Sequence, residues 1–167
     1  MPAFYEAASR GRVDDVRELL AGGVAVDLKN KHSKTALTVA SQQGHVATVR
    51  ALVQAGASVE TPSVDGKTPI MFAAWNGHAP VMVELMKAGA AVEVREQWGV
   101  TALMLAARGG HLACVRLLLD SGADPRRRDK DGETARVWAW QKGHVAVANV
   151  LEVGERRMHR ELVLCVL

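Results

Sequence analysis

The same residues return along this chain at a fixed offset of 33, and that register constrains the fold more than any other property of the sequence. Threonines stand at Thr35, Thr68, Thr101 and Thr134. Gly-His pairs stand at Gly44-His45, Gly77-His78, Gly110-His111 and Gly143-His144, and glycines again at Gly23, Gly56, Gly89 and Gly122. Several independent marks in one register mean stacked supersecondary units, each touching its neighbours, rather than one globular core.

The stretch from Asp65 to Ala90 shows what each mark does. Thr68 suits a helix N-cap, its hydroxyl accepting from orphan backbone amides, and Pro69 suits the first helical position, where no amide is needed. Ile70, Ala73 and Ala74 give the helix a small apolar face that lets a neighbour approach. Gly77 ends the helix, because a left-handed residue is cheapest without a side chain. A second helix is expected from about Ala79 to Lys87, with Pro80 in its first turn and Val81, Met82, Leu85 and Met86 buried at helical spacing, stopping at Gly89. The connecting segments are extended and turn-rich.

A unit of turn, helix, tight turn and helix that reads Gly-x-Thr-Pro-Ile, then Ala-Ala, then Gly-His, then Gly-Ala resembles the ankyrin repeat. The resemblance implies an all-α solenoid of stacked helix-turn-helix units joined by β-hairpin-like turns. It covers nearly the whole chain: a repeat domain over 1–153, with an N-terminal cap at about 2–28, repeats at about 29–61, 62–94, 95–127 and 128–153, and a C-terminal tail at 154–167. The cap lacks a leading hairpin, and its helices are expected at Ala3 to Arg10 and Val13 to Leu20 around Gly11. Its charged residues give the outer unit the polar surface a solenoid end requires. The last unit reads as the other cap. Arg136 stands where earlier units have Leu37, Ile70 and Leu103, and Trp140 replaces the small Ser41, Ala74 and Ala107. The apolar run 162–167 either packs over the last helices, begins a truncated unit or is exposed. One departure recurs: the family's Thr-Pro-Leu-His motif has Thr38, Met71, Met104 or Val137 in place of His, so the hydrogen bonds of that His are expected to be missing.

Composition excludes several classes. The 167 residues are 49% hydrophobic and 23% charged, ordinary for a folded soluble domain. No apolar run is long enough to span a membrane, and the chain does not open on a basic and then apolar leader. Cys114 and Cys165 follow neither disulfide nor zinc spacing, which points to free thiols in a reducing compartment, cytoplasm or nucleus. The net charge of +3 is a small excess of 21 basic over 18 acidic residues, so distribution matters more than the sum.

No residues gather for catalysis, and no cofactor or metal is expected. His45, His78, His111 and His144 fall one repeat apart, about 8 to 10 Å if helices stack normally, too far to share an ion whose ligands lie near 2 Å. In the family this His braces the turn between helices. The glycines are accounted for by turns and form no phosphate loop, and no nucleophile, base and orienting group come together. Cys114 and the methionines read as packing residues.

The function implied by the resemblance is therefore protein–protein interaction, with hairpin tips and the exposed face of each first helix lining a concave groove. By offset, that groove holds Lys31 and Lys34 from the first hairpin, Lys67, Trp75, Arg95, Trp98 and Arg108 from the middle units, and Arg128 from the last. Basic residues outnumber acidic ones among the positions so mapped. Trp75 and Trp98 stand where the core demands neither; each either lies across the neighbouring hairpin or anchors a partner. The run from Arg126 to Arg128 is a solvated turn or a contact for an acidic partner. The expected partner is another protein or an acidic peptide, bound by a monomer. Alternatives are recognition of a methylated tail or of nucleic acid through Trp75 and Trp98, or an adaptor module of a larger complex. The Leu164-Cys165 pair is only faintly similar to a ubiquitin-ligase adaptor box, since Glu161 stands where that box wants Leu.

Overall fold

The computed structural model describes the backbone of residues 2–166 and the side chains of residues 3–158. Among the described residues there are helices and no strand: α1 (Pro2–Ser9), α2 (Val13–Ala21), α3 (Ala36–Gln43), α4 (Val46–Gln54), α5 (Pro69–Trp75), α6 (Ala79–Lys87), α7 (Ala102–Arg108), α8 (Leu112–Asp120), α9 (Ala135–Gln141) and α10 (Val145–Val166). The chain is all-α. Odd-numbered helices pack on odd ones and even-numbered on even ones, each pair also packing within itself, so two rows of helices run side by side. One continuous core lies between the rows. Leu37, Ile70, Met71, Leu103 and Met104 fill it from the first row, and Leu52, Met82, Leu85, Leu118 and Leu151 from the second. Ala73, Ala74, Ala106 and Ala107 are fully buried where first helices approach one another. No helix among the described residues is long and apolar enough to cross a membrane.

In the four units after the first, the first helix starts at its threonine in an extended conformation. The hydroxyls of Thr35, Thr101 and Thr134 accept from the amides of Thr38, Met104 and Val137. Thr68 corrects the expectation. It occupies the N-cap, but its Oγ1 has no partner, and the first turn behind Pro69 closes instead on its carbonyl, which accepts from the Met71 amide at 3.0 Å. The absent motif histidine is also partly replaced. Thr38 Oγ1 lies 3.2 Å from Thr35 Oγ1, and Met104 Sδ accepts weakly from the Thr101 amide at 3.5 Å.

The Gly-His pairs tie one unit to the one before. Nε2 of His45, His78, His111 and His144 bonds the carbonyls of Ser9, Gln42, Trp75 and Arg108 at 2.8, 3.1, 2.9 and 3.1 Å. A carbonyl only accepts, so Nε2 carries the hydrogen. The ring lies against the preceding unit's glycine: a Cβ on Gly77, whose φ is +80°, would stand 2.6 Å from His111 Nδ1. The brace thus runs between units as well as supporting the turn it sits in.

A second ladder follows the loops. Asp27, Glu60 and Glu93 accept from the amides of Ser58, Ala91 and Asp124. The fourth unit has Arg126 at that register and so offers no such acceptor to the fifth. The last helix differs too. Glu155 stands where Gly23, Gly56, Gly89 and Gly122 carry positive φ, so nothing forces a left-handed stop, and α10 continues for 22 residues through Gly154. Glu155 instead pairs with Arg136 at 3.2 Å, fastening α10 to α9, though without hydrogen-bond geometry at Arg136 Nε. The apolar run 162–167 and Cys165 have side chains outside the described residues.

Candidate protein-binding groove

Each hairpin tip is a tight turn of the same construction. The amides of Asn30, Ser63, Glu96 and Asp129 donate to the carbonyls of Lys34, Lys67, Val100 and Glu133 at 3.0 to 3.1 Å. The side chain at the start of the turn accepts from amides within it. Glu96 Oε1 takes those of Trp98 (2.8 Å) and Val100 (3.0 Å), and Asp129 Oδ1 takes those of Asp131 (3.0 Å) and Glu133 (2.9 Å). Consecutive tips join where Val64 donates to the His32 carbonyl and Lys130 to that of Trp98. The tips therefore line up beside the first helices, bonded first to second and third to fourth.

Three hollows along this row share walls and make one groove. The first is lined by Lys34, Gln42, Asp65, Lys67, Phe72, Trp75 and Asn76. The second, about 250 Å³, is lined by Lys67, Trp75, Glu96, Trp98, Val100, Leu105, Arg108, Asp129, Asp131 and Trp138. The third has Arg108, Glu133, Trp138, Gln141 and Lys142.

Four aromatic side chains run down the groove, each with a cation over its face. Lys34 Nζ is 4.2 Å from the Phe72 ring centre and Lys67 Nζ 5.6 Å from that of Trp75. Arg108 lies 5.5 Å from Trp138, and Lys130 Nζ 5.4 Å from Trp98. Trp75 and Trp98 are 41% and 62% exposed, well beyond what core packing leaves open. Lys34 also donates to Gln42 at 2.8 Å. Burial pushes the Lys34 ammonium below its ordinary pKa, Asp65 draws it back up and Lys67 pushes it lower again.

A family model described as ankyrin repeats (3 copies) matches residues 4–96 and again 71–156, which together span most of the chain. The chain belongs to the ankyrin-repeat family. Comparison with curated proteins returned no match.

On this ankyrin scaffold, Lys34, Lys67, Trp75, Trp98 and Arg108 come together along the groove, as their offsets suggest. Lys31 is exposed but lines none of the three hollows. Arg95 is committed elsewhere, donating to the carbonyls of Gly99 (3.2 Å) and Arg128 (2.6 Å) and so fastening one hairpin to the next. Arg128 donates to the Gly132 carbonyl at 2.6 Å. It faces a separate cleft of about 630 Å³ with Arg126, Arg136, Glu155 and Arg156. That larger cleft shares no residue with the groove, and Arg126, Arg136 and Arg156 are paired with Asp124, Glu155 and Glu152.

These commitments overturn the expected charge balance. Among described residues lining the hollows, Lys34, Lys67, Arg108 and Lys142 face Asp65, Glu96, Asp129, Asp131 and Glu133, so acids are at least as numerous as bases. Sequence reasoning missed Phe72, Trp138 and Glu96. Phe72 and Trp138 share a register with Val39 and Leu105, and they precede Trp75 and Gln141 by three, a spacing that puts both on one helix face. Glu96 stands where the other turns have Asn30, Ser63 and Asp129. Cys114 is fully buried, and burial pushes its thiol up to about 11, which leaves it a packing residue.

Proposed function

We propose that this ankyrin-repeat chain is a non-catalytic interaction module whose groove takes an extended segment of a partner protein. The observation that carries this reading is the pair of exposed indoles, Trp75 and Trp98, standing in the groove beside the buried Phe72 and half-buried Trp138, with a cation over each of the four rings. Exposed indoles with a large apolar face and few torsions are the side chains that dominate binding energy when a partner covers them. Acidic side chains of the partner meet Lys34 at one end of the groove and Lys142 at the other, where charge steers the encounter. Carboxylates along the middle repel a phosphate backbone, which favours a protein over a nucleic acid.

The test is affinity purification from the source cell with the wild-type chain and with a Trp75→Ala, Trp98→Ala variant in parallel. Truncating such an anchor costs about 2 kcal/mol or more, roughly thirtyfold in affinity for each ring. Partners held by the wild type are expected to be lost by the variant while far-UV circular dichroism is unchanged. A partner set retained by the variant would sink the assignment of the groove.

A further inference from the structure

The central hollow contains a carboxylate whose needs the neighbouring repeat makes explicit. Asp129 uses both of its oxygens: Oδ1 accepts two turn amides, and Oδ2 accepts the indole N–H of Trp138 at 3.0 Å. One unit earlier, Glu96 holds the same place. Its Oε1 accepts the two equivalent amides, but Oε2 is buried with no hydrogen-bond partner, in a residue only 5% exposed. The reason is the residue at the register of Trp138, which here is Leu105 and has no N–H to give. A shielded carboxylate oxygen without a donor is costly to leave unpaired, and this one belongs to a residue in the wall of a hollow whose other walls include Trp75, Trp98 and Trp138.

Resting on the groove reading above, we propose that this hollow is a specificity pocket for one basic side chain of the partner segment. The cation is an ammonium or guanidinium that carries N–H. Its charge lies among indole faces, which attract cations through their quadrupole, and its N–H supplies Glu96 Oε2 with the donor that Leu105 lacks. Asp129 and Asp131 in the same wall add to the negative field. The protein's own Lys67, Arg108 and Lys130 lie 5.4 to 5.6 Å from the ring centres, close to the limit of about 6 Å for that attraction. They cap the rim and give way to a cation entering between the rings. A quaternary ammonium fits the rings but has no hydrogen for Glu96, so the pocket discriminates against full methylation.

The experiment follows the indole N–H signals of the full chain by NMR as n-butylammonium, n-propylguanidinium or butyltrimethylammonium is added at constant ionic strength. Trp140 is an internal control, since it is 57% exposed and lines none of the three hollows. The two N–H-bearing cations are expected to move the signals of Trp75, Trp98 and Trp138 but not that of Trp140, with butyltrimethylammonium about tenfold weaker. Glu96→Gln, which turns the waiting acceptor toward a donor, should weaken the N–H-bearing probes about tenfold or more, with circular dichroism unchanged. Leu105→Trp, which gives this unit the donor its neighbour has, should block them. Equal movement of all four signals, indifference to Glu96→Gln, or equal or tighter binding of butyltrimethylammonium overturns the proposal. Should the probes fail while partner capture still depends on Trp75 and Trp98, the pocket is refuted and the groove stands. Capture that is indifferent to both tryptophans refutes the groove itself.

Discussion

Ser33 has φ of +55°, the one positive value among described non-glycine residues, at the turn register that Gly66, Gly99 and Gly132 fill elsewhere. A left-handed residue with a Cβ costs about 1 to 2 kcal/mol, while a glycine adds about 0.5 to 1 kcal/mol of unfolded-state entropy. The strain term is the larger, so Ser33→Gly should stabilise by about 0.5 kcal/mol, read as a higher urea midpoint with an unchanged slope. A lower midpoint would mean that the hydroxyl contributes more than the backbone loses. The other residue-level outcomes were less legible. That Thr68 would leave its hydroxyl idle, or that Arg95 and Arg128 would seek carbonyls instead of solvent, follows from local geometry, to which residue type is blind. Charge alone does not tell a guanidinium which oxygen it will find.

At the scale of helices and turns, glycines of equal φ have unequal work. Gly77 and Gly56 are both left-handed, at +80° and +87°, but a Cβ on Gly77 strikes His111 whereas nothing lies within 4 Å of one on Gly56. Gly56→Ala should therefore cost only the backbone term, about 1 kcal/mol. Gly77→Ala should also push the imidazole off the Trp75 carbonyl and leave that group without its bond, for a total of about 3 kcal/mol. Equal losses in urea denaturation would show that the bond between units adds nothing. Element boundaries were readable from the sequence because threonine, proline and glycine act on the nearest few residues. The expected second helix, Ala79–Lys87, is the observed α6. The run of α10 was also written there, in Glu155 at the stop register, but only as a missing glycine. The third indole was hidden for another reason: Trp138 sits in an apolar register, where hydrophobicity reads as core until a hairpin is seen beside it.

For the molecule as a whole, two rows of helices in which each unit touches only its neighbours imply stability that is a sum over units and interfaces. The inner pairs α3–α4, α5–α6 and α7–α8 have interfaces on both sides, while α1–α2 and α9–α10 have one among the described residues. Amide hydrogen exchange should be slowest in the central pair, α5 and α6, and faster toward α1 and α2, in a graded series. A single uniform rate for all helices would show that the array opens as one block. The histidine bonds give this architecture one more property. They grip main-chain oxygens of residues 42, 75 and 108, the same positions whose side chains, Gln42, Trp75 and Arg108, face the groove. What secures the scaffold at those sites is common to every amino acid, and what meets the outside is not. Substitutions there can retarget the protein without loosening the fastening beneath, so its choice of ligand is free to drift while its frame stays put.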